Sequence, residues 1–519
     1  MSDLSMLVYN ALDSAITYEC REGFWGELES TNNSGIYKFT EELLQPLTYF
    51  MTRGLLVDSE RLKLESTRVA KEIEIKQEEL NKRCGQELNP NSPAQCQSYF
   101  YGKLGIQPYT KLAKDAHGNK VQRITTDDKA MQRIARGTAT RPPYYEAHLV
   151  QEIRGLIKLR GTYLEVTLDP DGRLRCSFNP RGTRFGRLSS SETIFGTGTN
   201  LQNLPETFKR FIIADPGKLL WEMDKRQAEW VATAYISGDA RMMSVCESGK
   251  DPHASTASAM YKIPEDIIMA EAKAVGHLTD PEEIDNIRKD LPFMKNLNRL
   301  PPRNMSMRQA GKKSNHGLNY MEQYRMFSLT NEIPEAEARV LVDLYHSIYP
   351  GLEQWYSSVR EKLSKDRTLT NCFGRNYKFL NRWDNDLIKS AVSFLPQSTV
   401  SDLVNSGIIK IYNENHPATE ELEQLTQVHD SVLGQYTVPT TDEEFENLAQ
   451  AMIICKDHLT PTMEYSGRQF EIGTDLKIGY VWDSMVEVPI VDDVDKMVDI
   501  LRSKLSECTR TERLVNGVS

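Results

Sequence analysis

The chain has 519 residues, of which 39% are hydrophobic and 26% are charged, so at about 150 residues per domain we expect roughly three or four domains. This composition, without an apolar run of about 18 residues, excludes a disordered chain and a membrane-spanning helix. The net charge of -10 argues mildly against nucleic acid as a partner, and eight cysteines without C-x-x-C spacing argue against a zinc or disulfide framework.

The N-terminal part is predicted to be helical. Its first residues have the composition of neither a signal peptide nor a transit peptide, so we expect a cytoplasmic protein without a membrane partner. Residues 55–83 mix spaced apolar residues with many charges over about seven helical turns. The segment 89–95 breaks this helix, 113–122 is predicted to be an exposed loop, and helical spacing resumes over 148–165.

Short strands are predicted beyond residue 166, and helices dominate 226–375. The strand pattern returns over 425–438, where two apolar runs flank His429 and Asp430 as in a hairpin. Near the C-terminus, apolar residues at helical spacing predict an amphipathic helix that packs on another surface. These are Val494, Met497, Val498, Leu501 and Leu505.

Two short segments are basic, although the chain as a whole is acidic. Residues 171–190 hold five Arg against one Asp, and residues 299–325 hold six Lys or Arg against Glu322. One such run is usually a solvated surface. Two of them beside the motifs below favour local binding of a polyanion.

A pair of aspartates carries the clearest chemical signal. Asp224 ends the apolar run KLLWEMD, and Asp430 lies in the predicted hairpin turn after QLTQVH. Taken singly, each is more often a turn or cap residue. Together they can hold hard divalent cations, which take protein carboxylates plus substrate phosphates and support in-line phosphoryl transfer.

A second motif, RNMSMRQAGKKSNHGLNY, repeats cations and rings every four residues. Arg308, Lys312, His316 and Tyr320 would share one broad face of a helix. Two cations suit a triphosphate, and ring-bearing side chains suit a base. The alternative is an ordinary basic helix.

Eight segments follow one another along the chain: SFNPRGTRFGRLSSS, NLQNLP, MDKRQAEWVATAYISGD, GKDPHASTASAMY, RQAGKKSNHGLNY, NCFGRNYKFL, FLPQSTVSDL and QVHDSV. Their order resembles that of family A DNA polymerases of the bacterial DNA polymerase I type, and the resemblance covers about residues 39–485. Any one is weak, but the ordered series makes coincidence very improbable. The resemblance implies an α+β right-hand fold with an antiparallel-sheet palm, helical fingers and a helical thumb.

The resemblance implies domain limits. We expect an exonuclease-domain remnant or linker at 1–38, a thumb at 39–165, palm segments at 166–250 and 376–485, fingers at 251–375 and a C-terminal extension at 486–519. Between His253 and Arg308 the chain is longer than the bacterial pattern, so we expect an insertion in the fingers at about 262–302.

The resemblance also implies template-directed addition of dNTPs to a primer 3′-hydroxyl with two Mg²⁺ ions. The metal ligands would be Asp224, Asp430 and the backbone carbonyl of Lys225, with Lys312 as a further catalytic residue. Nucleotide contacts are assigned to Arg308, Lys312, His253, His316, Tyr320, Glu229 and Gln227. Contacts to primer–template DNA are assigned to Arg187, Gln397, His429 and Asn203. Glu229 would lie close to C2′ and clash with a ribose hydroxyl.

Several positions depart from the family pattern. His316 replaces the usual aromatic of the fingers helix, Met321 replaces a glycine, and Ser431 replaces a glutamate after Asp430. Lys225 and Arg226 stand where aromatic and small residues are usual. This drift resembles phage polymerases, so we expect a role in phage genome replication in the host cytoplasm.

The N-terminus resembles the end of a 3′–5′ exonuclease domain. Tyr9 and Asp13 match its last motif, and the carboxylates of the earlier motifs would lie before Met1. We therefore expect no proofreading by this chain, with a separate exonuclease subunit or a processivity factor as candidate partners.

Two other functions stay open. A phage-type RNA polymerase would share the aspartates and the fingers helix, but Glu229 and the NLQNLP segment favour the deoxynucleotide enzyme. An inactive DNA-binding scaffold would be expected to lose a metal carboxylate or a triphosphate cation, and this chain keeps Asp224, Asp430, Arg308 and Lys312.

Overall fold

The N-terminal part is a helical arm with one small hairpin. The computed structural model describes residues 3–114, 119–137, 141–278, 281–289, 291, 305–331 and 333–515. The arm contains α1 (Asp3–Ser30), α2 (Ser34–Arg53), β1 (Leu55–Leu56), α3 (Ser59–Cys84), α4 (Pro93–Cys96), a π-helical turn (Gln97–Lys103), β2 (Thr110–Lys114), β3 (Lys120–Ile124), α5 (Asp128–Arg136), α6 (Tyr145–Lys158) and a second π-helical turn (Leu159–Leu164). Asp58 caps α3 by accepting a hydrogen bond from the Arg61 amide. Helices α3, α5 and α6 pack together around a separate apolar core.

The predicted exposed loop at 113–122 is wrong at both ends. Strands β2 and β3 pair antiparallel there, with Ala113 opposite Val121. Neither TKLAK (110–114) nor KVQRI (120–124) alternates apolar with polar residues, so the sequence carries no two-residue period that would have indicated these strands. Residues 115–118 lie outside the described part.

The middle of the chain supplies one long central strand and most of the helices. Its elements are β4 (Arg173–Leu174), β5 (Ser177–Asn179), β6 (Ser189–Ser191), short helices (Leu201–Asn203 and Glu206–Phe211), β7 (Lys218–Lys225), α7 (Ala228–Ser237), α8 (Ala240–Glu247), α9 (Pro252–Tyr261), α10 (Glu265–Val275), α11 (Pro281–Lys289), α12 (Met307–Leu318), α13 (Tyr324–Asn331), α14 (Glu335–Ile348), α15 (Gly351–Asp366), β8 (Thr368–Thr370) and β9 (Asn376–Lys378). Helices α7 to α10 and α12 to α15 share a second apolar core that includes Trp230, Phe327 and Tyr345.

The C-terminal part returns to the central sheet. It contains α16 (Asn385–Tyr412), a short helix (Pro417–Thr419), β10 (Glu423–Val428), β11 (Ser431–Thr437), α17 (Asp442–Leu459), β12 (Met463–Tyr465), β13 (Arg468–Phe470), β14 (Thr474–Gly479), a short helix (Trp482–Ser484), β15 (Val486–Val488) and α18 (Val494–Val515). The predicted hairpin and the C-terminal helix are both present. Met497, Leu501 and Leu505 of α18 are buried in the core of the sheet, and the Cys508 thiol donates to the Ile478 carbonyl at 3.4 Å.

The sheet that positions the site is antiparallel, in the order β10-β11-β7-β14-β15. Strand β7 lies in its centre and is buried along most of its length, which explains its apolar run. The fold is therefore the α+β right hand expected from the sequence. Within the described residues, no helix is both long and apolar enough to cross a bilayer.

Candidate active site

Two strand ends bring the predicted aspartates to one place. Asp224, near the end of β7, pairs across the sheet with Ser431 on one side and Asp475 on the other. Asp430 lies in the turn between β10 and β11, and its carbonyl accepts a hydrogen bond from the Lys225 amide at 3.2 Å. The turn is tight, because His429 has a φ of 55°, in the left-handed region that non-glycine residues rarely adopt.

Both carboxylates line a cavity of about 530 Å³. It also brings together most of the predicted nucleotide and DNA contacts, which were drawn from distant parts of the sequence. The lining residues are Arg187, Asp224, Lys225, Arg226, Gln227, Ala228, Glu229, Trp230, His253, Arg308, Lys312, His316, Val400, Ser401, His429, Asp430 and Asp475.

The surroundings of Asp224 and Asp430 disfavour the ionised form of both carboxyl groups. Burial, together with the carboxylates of Asp430 and Glu222, raises the pKa of Asp224 from 3.8 to about 7. Burial also raises the pKa of Asp430. Two half-buried carboxylates whose surroundings disfavour negative charge suit a hard divalent cation, which takes carboxylate oxygens as ligands.

The side chain of Lys225 binds other protein oxygens instead of the carboxylates of Asp224 and Asp430. Its ammonium donates to the Ile472 carbonyl at 2.9 Å, to the Thr474 hydroxyl at 2.8 Å and to the Leu459 carbonyl. Burial lowers the pKa of Lys225 from 10.5 to about 7. The side chain thus ties β7 to the segments before β14, which leaves the backbone as the part of Lys225 available for the predicted ligand role.

The cationic wall of the cavity comes from α12 and α9. Arg308, Lys312 and His316 all line it. The Arg308 guanidinium binds the carboxylate of Asp251, with Nη2 at 2.7 Å and Nε at 3.2 Å from Oδ2. Arg308 is therefore held by a protein carboxylate in this structure, although it was predicted to hold phosphate.

His253 is buried beside this wall. Its Nδ1 lies 3.0 Å from the Asn315 amide nitrogen, and burial lowers the pKa of His253 to about 4. At neutral pH its imidazole is uncharged, so its predicted contact with phosphate would be a hydrogen bond and not an ion pair.

Glu229, which also lines the cavity, is the centre of a second network of side chains. It accepts a hydrogen bond from the Tyr320 hydroxyl at 2.7 Å and pairs with the Arg187 guanidinium. The prediction that Tyr320 shares a helical face with Arg308 is wrong, because α12 ends at Leu318. Tyr320 lies in the turn beyond, and its hydroxyl reaches Glu229 although Tyr320 does not line the cavity.

Two predicted DNA contacts lie outside the cavity lining. Asn203 is exposed, and its carbonyl accepts a hydrogen bond from the Tyr163 hydroxyl at 2.8 Å. Gln397 is half-buried on α16, one turn before Ser401, which does line the cavity.

Several site residues escaped the sequence reasoning. Gln202 is buried, accepts from the His429 amide at 3.2 Å and donates to the Gln427 carbonyl at 2.6 Å, so it holds the turn that carries Asp430. Its place in the NLQNLP segment could have indicated it. Asp251 precedes His253 in a quoted segment, whereas Asp475 had no signal, because its strand had not been placed beside β7.

The raised pKa of Asp224 predicts a pH-dependent stability of the metal-free protein. In the unfolded chain this carboxyl titrates near 3.8, and in the folded chain near 7. Its burial therefore does not penalise the folded state below pH 3.8, and folding stability falls as pH rises from 3.8 to about 7 and then levels off. We expect the stability of Asp224→Asn relative to the wild type to increase progressively between pH 4 and 7 and to stay constant above pH 7. Urea unfolding of both proteins with EDTA measures this difference, and a constant difference across the range would contradict the assignment.

Comparison with known proteins agrees with this geometry. The sequence profile described as DNA polymerase family A matches residues 59–276 and 296–484, which is more than half of the chain. The chain belongs to DNA polymerase family A. Thermostable DNA polymerase I of Thermus aquaticus is 26% identical over 445 residues, which are 81% of this chain and 46% of that protein. DNA polymerase I of Helicobacter pylori is 25% identical over 414 residues, which are 76% and 39% of the two chains.

A solved structure of the same family shares the fold. The POL domain of Pol1 from M. smegmatis, solved in complex with a DNA primer-template and dNTP, superposes with a TM-score of 0.68 at 20% identity. The match covers 88% of this chain and 73% of that one. This chain spans less than half the length of the two curated family A relatives.

Proposed function

We propose that this chain is a DNA-directed DNA polymerase that adds dNTPs to a primer 3′-hydroxyl by two-metal-ion nucleotidyl transfer. One observation carries the proposal. A single cavity joins two half-buried carboxylates, Asp224 and Asp430, to the cations Arg308 and Lys312. Membership of DNA polymerase family A supports it.

The two carboxylates suit Mg²⁺. Asp224 and Asp430 offer hard oxygen ligands, and their raised pKa values support a place that favours added positive charge. Bound there, two Mg²⁺ ions would lower the pKa of the primer 3′-hydroxyl and neutralise charge on the departing pyrophosphate. Within the described residues no third His, Cys, Asp or Glu completes a metal-binding cluster with this pair, so substrate phosphates would supply the remaining ligands.

The cationic wall would bind the triphosphate. Lys312 is exposed on α12 and carries its charge into the cavity, where it can meet negative charge as this moves onto the leaving group. Arg308 would exchange the carboxylate of Asp251 for phosphate oxygens, since a guanidinium binds either with the same fork.

Glu229 would select the sugar. Its carboxylate is fixed between Arg187 and Tyr320, so it cannot easily withdraw from a ribose 2′-hydroxyl. We expect Glu229→Ala to reduce discrimination between dATP and ATP by about tenfold or more, because a fixed steric block is removed. The ratio of kcat/KM values for the two nucleotides on one primed template measures this. Ser401→Ala, which alters another lining residue, is the matched control.

Primer extension with Mg²⁺ tests the proposed activity directly. We expect the purified chain to extend a labelled primer with dNTPs and to use rNTPs poorly. Efficient extension with rNTPs would support the phage-type RNA polymerase instead. Binding of primer–template without extension, by a protein that loads Mg²⁺, would support the scaffold function.

We further propose that the polymerase acts in phage replication and does not proofread on its own. The departures at His316, Met321 and Ser431 support the first point. For the second, Tyr9 and Asp13 both lie exposed on α1. Incubation with an end-labelled mismatched primer and Mg²⁺ tests this, and clear shortening of the primer by the pure chain would refute it.

A further inference from the structure

A buried ion pair lies in the part of the fingers where the sequence predicted an insertion. Glu271 on α10 has a side-chain exposure of 0% and Arg288 on α11 of 1%. The guanidinium donates to Glu271 Oε1 from Nη2 at 2.5 Å and from Nε at 3.0 Å. The pair therefore joins α10 to α11 through two charge-assisted hydrogen bonds to one carboxylate oxygen.

The same two side chains also hold the start of α12. The second carboxylate oxygen of Glu271 accepts the Met307 amide at 2.9 Å, and Arg288 Nη2 donates to the Met305 carbonyl at 2.7 Å. Met307 is the first residue of α12 and directly precedes Arg308. A carboxylate at this place also interacts favourably with the positive end of the helix dipole.

One member of this ion pair lies outside the segments that the family A profile matches. The family A profile leaves residues 277–295 unmatched, and Arg288 falls within them, whereas Glu271 falls in a matched segment. The unmatched segment therefore supplies a cation, Arg288, which binds the Glu271 carboxylate beside the start of α12, the helix that bears Arg308 and Lys312.

Stability alone is a poor reason for such a pair. Removing two charges from water is costly, and well-packed apolar residues in their place are often as stable or more stable. What apolar residues cannot do is hydrogen-bond the Met305 carbonyl and the Met307 amide, and so fix the position of the first turn of α12. Small displacements of groups that bind substrate have large effects on reaction rates.

We propose that Glu271 and Arg288 are positioning residues, which hold the first turn of α12 so that Arg308 and Lys312 meet the phosphates of the incoming nucleotide. This inference rests on the proposed polymerase function. It assigns to the inserted segment a part in nucleotide binding.

The double variant Glu271→Met/Arg288→Met tests the proposal on the full chain. It replaces the pair with apolar side chains of similar length, so we expect a folded protein whose melting temperature falls only by what two unmade hydrogen bonds at the start of α12 cost. We expect KM for dNTP to rise about tenfold, as for the loss of one or two buried hydrogen bonds, with primer–template affinity unchanged. Lys289→Ala, an exposed cation on the same helix, is the control and should behave as wild type.

The outcomes separate this inference from the proposed function. A folded double variant with wild-type KM would overturn the positioning role while wild-type extension still stood. If the wild type itself fails to extend a primer, the proposed function fails first. Should the double variant unfold, Arg288→Met and Arg288→Lys carry the test: the first should raise KM and the second restore part of the loss, and equal KM values in both and the wild type would overturn the proposal.

Discussion

Asp430→Asn should reduce the single-turnover rate of primer extension by about 10³-fold or more, since charge stabilisation through a bound metal contributes several kcal/mol. The variant removes one of two carboxylates that line the cavity and keeps nearly the same shape. Stability should not fall, because burial already disfavours the charged form of Asp430. Rapid-quench measurement at saturating dNTP and Mg²⁺ gives the rate.

The controls separate chemistry from folding and DNA binding. Fluorescence anisotropy should show primer–template affinity within a few-fold of the wild type. Asp442→Asn changes an exposed aspartate at the start of α17, far from the cavity lining, and should leave the rate unchanged. Wild-type extension by Asp430→Asn would show that the pair does not hold the catalytic ions.

Lys312→Ala should slow the same single-turnover step by about 10²-fold, because a fixed charge aimed at a developing negative charge typically contributes that much. The effect should persist at saturating dNTP, since the charge has most value when negative charge moves onto the pyrophosphate. Measuring the rate against dNTP concentration separates this effect from weaker binding.

The neighbouring lysine provides a matched control for Lys312. Lys313 carries the same charge one residue along α12, but its ammonium donates to the Thr330 carbonyl at 3.1 Å and it does not line the cavity. Lys313→Ala should therefore retain the wild-type rate. A rate loss in Lys313→Ala equal to that in Lys312→Ala would point to the general charge of α12 and away from a specific contact.

The expectations that rest on local pattern agree best with the structure. The apolar run before Asp224 forms the central strand, and the paired runs around Asp430 form the hairpin. The C-terminal spacing that begins at Val494 forms a docked helix. In each case the side chains that specify the element lie within a few residues of one another, so the period of burial is visible in the sequence.

The predictions from the sequence were wrong where neighbouring elements determine where a segment ends. Four-residue spacing extended the helical face to Tyr320, although the helix ends at Leu318 and a turn follows. The segment 113–122 contains turn-forming residues, and the strands at its two ends pair with each other without an alternating apolar pattern that would reveal them. Periodicity shows what a segment can form, but not where it stops.

The sequence by itself determined the order of motifs, the two strand-end carboxylates and the cations of one helix, because these depend on residue type and short-range spacing. Tertiary structure alone decided which groups these side chains contact. Arg308 binds Asp251, Gln202 holds the turn of Asp430, and Arg288 reaches the start of α12. Such partners lie far apart in the chain, and they meet only when packing and the need to satisfy buried polar groups select one arrangement.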